Sequence, residues 1–178
     1  MIQYHDCEQG TVKWKLLRKD LWTGSRAIRL LQGKSLPDDS NVHVTGAMRR
    51  GTMLEPVAIM EYERSVGRKV DRPGFVTNTV YPNAGYSPDG IDGKVLLEVK
   101  CANGGNHEML VAGNIPLQYK AQIYLGMIVT GLRKAKLIAF NPEYEQQMTI
   151  IDVPYDKAIG DNIRKKLRED NKKRQTTF

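Results

Sequence analysis

Two segments in the first third of the chain carry apolar residues at helical spacing. "TGSRAIRLLQG" (23–33) and "RRGTMLEPVAIMEYERSVG" (49–67) therefore predict two helices, each closed by a glycine. We expect Pro56 in the first turn of the second helix, where its missing N–H costs little. The turn-rich segment 35–46 between them predicts a loop.

The middle of the chain changes to strand character. "GFVTNTVYP" (74–82) and "KVLLEVKC" (94–101) are rich in β-branched residues, and we expect the two strands to form a hairpin around the turn sequence at 88–93. The other predicted elements are a loop at 103–106, a helix at 115–131, strands at 135–142 and 147–154, and a basic helix from about 160 that frays into a tail ending at 178.

This order of elements predicts an α/β (α+β) fold, with a central mixed β-sheet flanked by helices. The 178 residues are expected to form a single domain, 1–178. The two cysteines are too few for a disulfide framework or a four-cysteine metal cluster. Because there is also no apolar leader and no membrane-length apolar run, we expect a cytoplasmic protein that is not bound to membranes.

The balance of charges narrows the class of partner. A formal net charge of +7 favours a polyanion, with nucleic acid as the first choice and an anionic membrane surface as the second. A solvated basic surface with no such partner explains the same number. Charge alone leaves these readings open.

Two opposite charges interrupt the apolar strand at 94–101. Because side chains alternate along a strand, Glu98 and Lys100 share one face, with their Cβ atoms roughly 7 Å apart. The opposite face carries Val95, Leu97 and Val99. Asp89 lies just upstream, where a hairpin can bring its carboxylate toward Glu98. An ordinary salt bridge on an exposed strand is the alternative interpretation.

Two converging carboxylates can bind a hard divalent cation. Mg²⁺ is the most plausible ion, Mn²⁺ is a possible substitute, and the main-chain carbonyl of Val99 is a candidate third ligand. Such a metal lowers the pKa of a bound water and neutralises charge on a phosphoryl oxygen. Lys100 could then orient or deprotonate that water, or stabilise the transition state.

The stretch "YSPDGIDGKVLLEVKC" resembles the metal-binding core of the PD-(D/E)XK nuclease superfamily, whose fold is restriction-endonuclease-like. Three further blocks narrow the resemblance to the phage lambda exonuclease and YqaJ-type viral recombinase family. These blocks are "LRKDLWTGSRA", "RRGTMLEPVAIMEYE" and "IPLQYKAQIYLGMIVTG". Together, the four blocks follow one another along the chain in the family's order.

The resemblance implies roles for residues around the strand. Asp89 and Glu98 match the metal-binding carboxylates, Lys100 matches the catalytic lysine, and Glu55 matches a helical glutamate that faces the metal. Tyr119 and Gln122, three apart on one helix face, match residues beside the lysine and the reactive phosphate. The alternatives are a first-turn acid favoured by the helix dipole for Glu55 and a surface pair for the last two.

Arg18, Ser25 and Ser87 match positions that bind the 5′-phosphate of a DNA end in this family. A guanidinium and hydroxyl groups suit phosphate oxygens. The alternatives are a surface charge, a helix N-cap and a turn residue, respectively. Trp22 departs from the family pattern, which has a smaller apolar residue there.

The resemblance implies a Mg²⁺-dependent 5′→3′ exonuclease that degrades double-stranded DNA from its ends. It would release 5′-mononucleotides and leave 3′ single strands for phage-type recombination. It further implies a homotrimer, a partner single-strand annealing protein and a bacterial host cell. Two alternatives are a structure-specific endonuclease on the same core and a non-catalytic DNA-binding module.

Overall fold

A computed structural model of the protein describes residues 1–37 and 44–176. The described strands are β1 (Ile2–His5), β2 (Phe75–Asn78), β3 (Gly85–Tyr86), β4 (Gly90–Asp92), β5 (Val95–Lys100), β6 (Lys134–Phe140) and β7 (Met148–Asp152). The described α-helices are α1 (Val12–Arg18), α2 (Ala27–Leu31), α3 (Gly46–Val66), α4 (Gly104–Val111), α5 (Leu117–Thr130) and α6 (Lys157–Thr176). A short 3₁₀ helix at Gly24–Arg26 precedes α2.

The strands form two sheets. The larger sheet has the order β4-β5-β6-β7, in which β5 and β6 are parallel and the other pairs are antiparallel. The smaller sheet has the order β1-β2-β3 and is antiparallel. A mixed sheet flanked by helices was the predicted fold class, and the structure confirms it.

Helices cover both faces of the larger sheet. On one face, Leu96 joins a buried cluster with residues of α2, α5 and α6. On the other face, Leu97 and Val99 pack with Ala58 and Ile59 of α3. The predicted alternation along β5 is therefore confirmed, and both of its faces are buried, as is usual where strands run parallel.

The predicted pairing of 74–82 with 94–101 is wrong. Strand β2 pairs with β1 and β3, and β5 forms its hairpin with β4 instead. Gly93, whose φ of 60° suits a residue without a side chain, lies in the β4–β5 turn. The N-terminal strand β1 was not predicted, and it supplies the partner that β2 needs.

The start of α3 also differs from the prediction. The helix begins at Gly46, where the Thr45 hydroxyl caps it by accepting the Met48 N–H at 3.2 Å. Pro56 therefore lies in the helix interior rather than in its first turn, and Glu55 is not a first-turn acid. Burial of the α3 face that carries Ala58 offsets the lost backbone hydrogen bond. The predicted end at Gly67 is confirmed.

Other segments differ in smaller ways. The predicted loop at 103–106 is the beginning of α4, which buries Leu110. Of the predicted loop at 35–46, residues 38–43 lie outside the described residues, as do residues 177–178 of the C-terminal tail. Helix α6 continues to Thr176 and packs through Ile163 and Leu167. Among the described helices, none is long and apolar enough to cross a membrane.

Candidate active site

The carboxylate of Glu98 lies at the centre of the candidate site. The residue is 1% exposed, because its side chain points from β5 toward α5. Lys100 Nζ lies 2.5 Å from Glu98 Oε1, the Gln122 amide donates to the same oxygen, and the Tyr86 hydroxyl donates to Oε2. Strands β3 and β5 and helix α5 thus each supply one donor to this buried carboxylate.

The side chains of Lys100, Gln122 and Tyr119 come together as predicted. Lys100 Nζ donates to Gln122 Oε1 at 3.3 Å and lies 4.9 Å from the centroid of the Tyr119 ring. Burial acts to lower the pKa of Lys100, but attraction to Glu98 and Asp89 outweighs burial and raises it. The lysine is therefore charged at neutral pH, and the side chains of Gln122 and Tyr119 both lie beside it.

Asp89 lies at the start of the β4–β5 hairpin. Its Oδ2 accepts the main-chain N–H of Val99 at 2.7 Å, which holds the carboxylate against β5. The pKa of Asp89 is raised well above its usual range, first by burial and then by the negative charges of Glu98 and Glu55. The three carboxylates therefore repel one another in the absence of a cation.

Glu55 reaches the same region from α3. Its Oε1 lies 2.7 Å from Nη2 of Arg72, and Arg72 Nε donates to the main-chain oxygen of Asp89 at 3.3 Å. Burial raises the pKa of Glu55 even though Arg72 opposes the shift. Nothing in the local sequence pattern around Arg72 connects it to Glu55, seventeen residues earlier, so this contact could not be predicted from the sequence.

A second polar cluster surrounds Arg18, at the end of α1. Its Nη2 donates to the hydroxyls of Thr23 and Ser25, each at 3.4 Å. Trp14 stacks on the guanidinium, and its indole N–H donates to Ser87 Oγ at 2.8 Å. The cluster therefore unites the three predicted phosphate-binding residues and adds Trp14 and Thr23, both of which the sequence analysis missed.

Of the ordinary structural roles considered for these residues, the structure excludes the N-cap role of Ser25. Thr23, not Ser25, is the N-cap of the 3₁₀ helix. Burial and the neighbouring charge of Arg26 lower the pKa of Arg18 to about 10, which leaves it charged at neutral pH. Trp22, the departure from the family pattern, is buried in the core at 2% exposure, so its bulk lies outside the hydroxyl cluster.

The carboxylate region fits a divalent cation. Within 1–37 and 44–176, no three acidic, histidine or cysteine side chains converge closely enough to hold an ion by themselves. Mg²⁺ commonly uses only one or two carboxylates together with waters and substrate phosphates. The mutual repulsion at Asp89 is the condition that a cation would relieve, so Asp89 and Glu98 suit a site that substrate completes.

The sequence matches the family model of the YqaJ-like viral recombinase domain over residues 10–133. The chain belongs to this family. Every predicted site residue lies within the matched range, and the predicted family is confirmed. As a member of the YqaJ-like family, the protein is a nuclease that acts on DNA, and its class implies use of a divalent metal.

Solved structures show the same fold. Two are structures of LHK-Exo, an alkaline exonuclease from Laribacter hongkongensis, and each is 24% identical to this chain. The match to the structure in complex with dAMP covers 88% of this chain and 89% of that chain, with a TM-score of 0.74. The match to the other covers 94% of this chain and 98% of that chain, with a TM-score of 0.73. A phage-related exonuclease from Haemophilus somnus 129PT is 14% identical, with 91% and 85% covered and a TM-score of 0.58. A search of curated proteins finds no significant match.

Proposed function

We propose that this YqaJ-like nuclease is a Mg²⁺-dependent 5′→3′ exonuclease acting at the ends of double-stranded DNA. The observation that carries the proposal is the short separation of its two polar clusters. Ser87 belongs to the Arg18 cluster and Asp89 to the carboxylate cluster, with only Pro88 between them. Two residues span at most about 7 Å, so a terminal phosphate and the next phosphodiester of one strand could be bound together.

The carboxylate cluster suits phosphodiester hydrolysis. Asp89 and Glu98 would hold Mg²⁺, or Mn²⁺ in its place, with the Val99 carbonyl and Glu55 as further candidate ligands. The bound ion would supply a water of lowered pKa and neutralise charge on the phosphoryl oxygens. Lys100, held by Glu98 and Gln122, would orient the attacking water and stabilise the developing negative charge.

The Arg18 cluster would determine direction. Its guanidinium and hydroxyls suit a terminal phosphate, since charge-assisted hydrogen bonds to phosphate are strong. Each cleavage would release a 5′-mononucleotide and expose a new 5′-phosphate that can rebind. The product would be a 3′ single strand, which a single-strand annealing protein could use in phage-type recombination inside the bacterial cytoplasm. A homotrimer around the DNA belongs to the same proposal.

Linear duplexes labelled at each end, with and without a 5′-phosphate, test this function. We expect labelled mononucleotides from the 5′ ends first, and much slower release when the end carries a 5′-hydroxyl. Equal cutting of closed circular DNA would instead favour a structure-specific endonuclease.

The metal assignment has its own test. Asp89→Ala should abolish Mg²⁺-dependent nucleotide release while duplex binding is retained. Unchanged release by this variant would refute the assignment of Asp89. A wild-type protein that binds duplex DNA but releases nothing with either Mg²⁺ or Mn²⁺ would be a DNA-binding module.

A further inference from the structure

Tyr86 contacts the carboxylate cluster and directly precedes Ser87 of the Arg18 cluster. It is the last residue of β3 and is 1% exposed. Its hydroxyl donates to Glu98 Oε2 in the carboxylate cluster. The next residue, Ser87, accepts the indole N–H of Trp14 in the Arg18 cluster. Two consecutive residues, Tyr86 at the end of β3 and Ser87 directly after it, therefore each contact a different cluster.

Two glycines close on the Tyr86 ring. A Cβ at Gly24 would lie 2.8 Å from Tyr86 Cε2 and 2.9 Å from Gln122 Cγ. A Cβ at Gly126 of α5 would lie 2.6 Å from Tyr86 Cζ. Because real Cβ contacts do not occur at such distances, only glycine lets these backbones approach the ring this closely. The ring is fixed between the helix that carries Gln122 and the turn that carries Ser25.

The backbone around Tyr86 is held as well. The N–H of Gly85 donates to the Trp22 oxygen at 3.0 Å, and Trp22 N–H donates to the Asn83 oxygen at 2.8 Å. On its other side, Tyr86 pairs with Val76 of β2. The segment that leads to Ser25 is therefore attached directly to the strand that carries Tyr86.

We propose that Tyr86 is a positioning residue that fixes the Glu98 carboxylate for metal binding and sets its place relative to the Arg18 cluster. Groups that hydrogen-bond a metal ligand orient it, and their loss typically weakens metal affinity 10- to 100-fold. The hydroxyl acts on Glu98, whereas the ring acts through Gly24 on the Arg18 cluster. The inference rests on the proposed metal-dependent exonuclease.

Tyr86→Phe separates these two actions, because it removes the hydroxyl and keeps the ring. Mn²⁺ binding to the full chain without DNA, followed by electron paramagnetic resonance, should weaken by about tenfold or more. The ratio of digestion rates on 5′-phosphate and 5′-hydroxyl ends should not change, while kcat falls. Tyr124→Phe is the matched control: Tyr124 is equally buried, but its hydroxyl donates to the Pro154 oxygen.

Gly24→Ala displaces the ring and keeps the hydroxyl. We expect it to weaken Mn²⁺ binding and also to lower the preference for 5′-phosphate ends, which Tyr86→Phe does not. Circular dichroism and thermal unfolding establish that each variant is folded. The role given to the ring would be overturned if Gly24→Ala bound Mn²⁺ as tightly as the wild type and kept the same preference for 5′-phosphate ends.

Glu98→Gln distinguishes failure of the inference from failure of the proposed function. If Glu98→Gln binds Mn²⁺ like the wild type, the metal site itself is wrongly assigned. If Glu98→Gln loses Mn²⁺ while Tyr86→Phe and Tyr124→Phe both bind it normally, the metal site stands and the role of the Tyr86 hydroxyl is refuted.

Discussion

The indole ring of Trp14 lies against the guanidinium of Arg18, with the central guanidinium carbon 3.8 Å from the ring centroid. The same indole donates its N–H to Ser87 Oγ. One side chain thus holds a cation at the end of α1 and a hydroxyl beside the β4–β5 hairpin. Binding of a terminal phosphate here would depend on Trp14 because this uncharged side chain holds Arg18 and Ser87 in place.

Trp14→Ala should therefore reduce end recognition. A partly buried cation–π contact contributes about 1–2 kcal/mol and a hydrogen bond about 1 kcal/mol, so we expect the ratio of digestion rates on 5′-phosphate and 5′-hydroxyl ends to fall at least about fivefold. Leu16→Ala, an exposed position on the same helix, is the control. An unchanged ratio in Trp14→Ala would show that Arg18 needs no such support.

Lys100→Met should stop catalysis while leaving the fold intact. The methionine keeps most of the side-chain volume but removes the ammonium that Glu98 and Gln122 hold. We expect kcat to fall about 10²- to 10⁴-fold, the range typical of a positioned acid–base or charged group, with little change in duplex binding measured by fluorescence anisotropy. A kcat within a few-fold of the wild type would remove Lys100 from the mechanism.

Arg72 is expected to compete with a metal ion for Glu55, since its guanidinium lies 2.7 Å from that carboxylate. Arg72→Gln should therefore increase Mn²⁺ affinity, by at most about fivefold because a partly exposed ion pair contributes up to about 1 kcal/mol. Isothermal titration in the absence of DNA measures the change. Arg64→Gln, which breaks the Arg64–Glu61 pair on the same helix, is the control. Weaker binding in Arg72→Gln would mean that Arg72 positions Glu55 instead.

Asp92 stabilises the fold away from the active site. Its buried carboxylate accepts Arg68 Nε and Nη2, each at 2.6 Å, and the Tyr62 hydroxyl at 2.8 Å. Chiefly because of the Arg68 hydrogen bonds, the pKa of Asp92 is lowered. A lowered carboxyl pKa adds stability above the unfolded value of about 3.9, and that stability is lost as pH falls below it.

Asp92→Asn should consequently lower the free energy of unfolding at pH 7 by about 1–3 kcal/mol, the cost of leaving buried partners poorly satisfied. Urea unfolding at several pH values measures this difference, which should shrink as pH falls below about 4. Asp152→Asn, which affects the pair between Lys136 and the 86% exposed carboxylate of Asp152, should change stability little. If the difference in the free energy of unfolding between the wild type and Asp92→Asn stayed constant down to pH 3, Asp92 would not be ionised in the folded protein as assigned.

Local patterns in the sequence were sufficient for the elements that carry most of the candidate site. The alternation along β5 places Glu98 and Lys100 on one face, and the three-residue spacing of Tyr119 and Gln122 places both on one side of α5. These patterns are determined within one element by the periods of strand and helix. The resemblance to the recombinase family then assigned residues of these separate elements to one candidate site.

Local patterns failed where a distant partner decides the structure. The pairing of β2 depends on β1, whose residues lie 70 to 76 positions earlier, in a register from Ile2 opposite Asn78 to His5 opposite Phe75. The interior position of Pro56 is tolerated because α3 packs on the sheet. A window of ten residues contains no sequence pattern that predicts either feature.

The sequence by itself therefore determined the family and the fold class and indicated most of the charged residues proposed for the site, because residue type and local period encode them. Only the tertiary structure decided how those residues are held: Tyr86 on Glu98, Arg72 on Glu55 and Trp14 between Arg18 and Ser87. The hydrogen bonds of Tyr86 with Glu98, Arg72 with Glu55 and Trp14 with Ser87 join residues 12, 17 and 73 positions apart. Their geometry comes from packing, which a one-dimensional pattern does not contain.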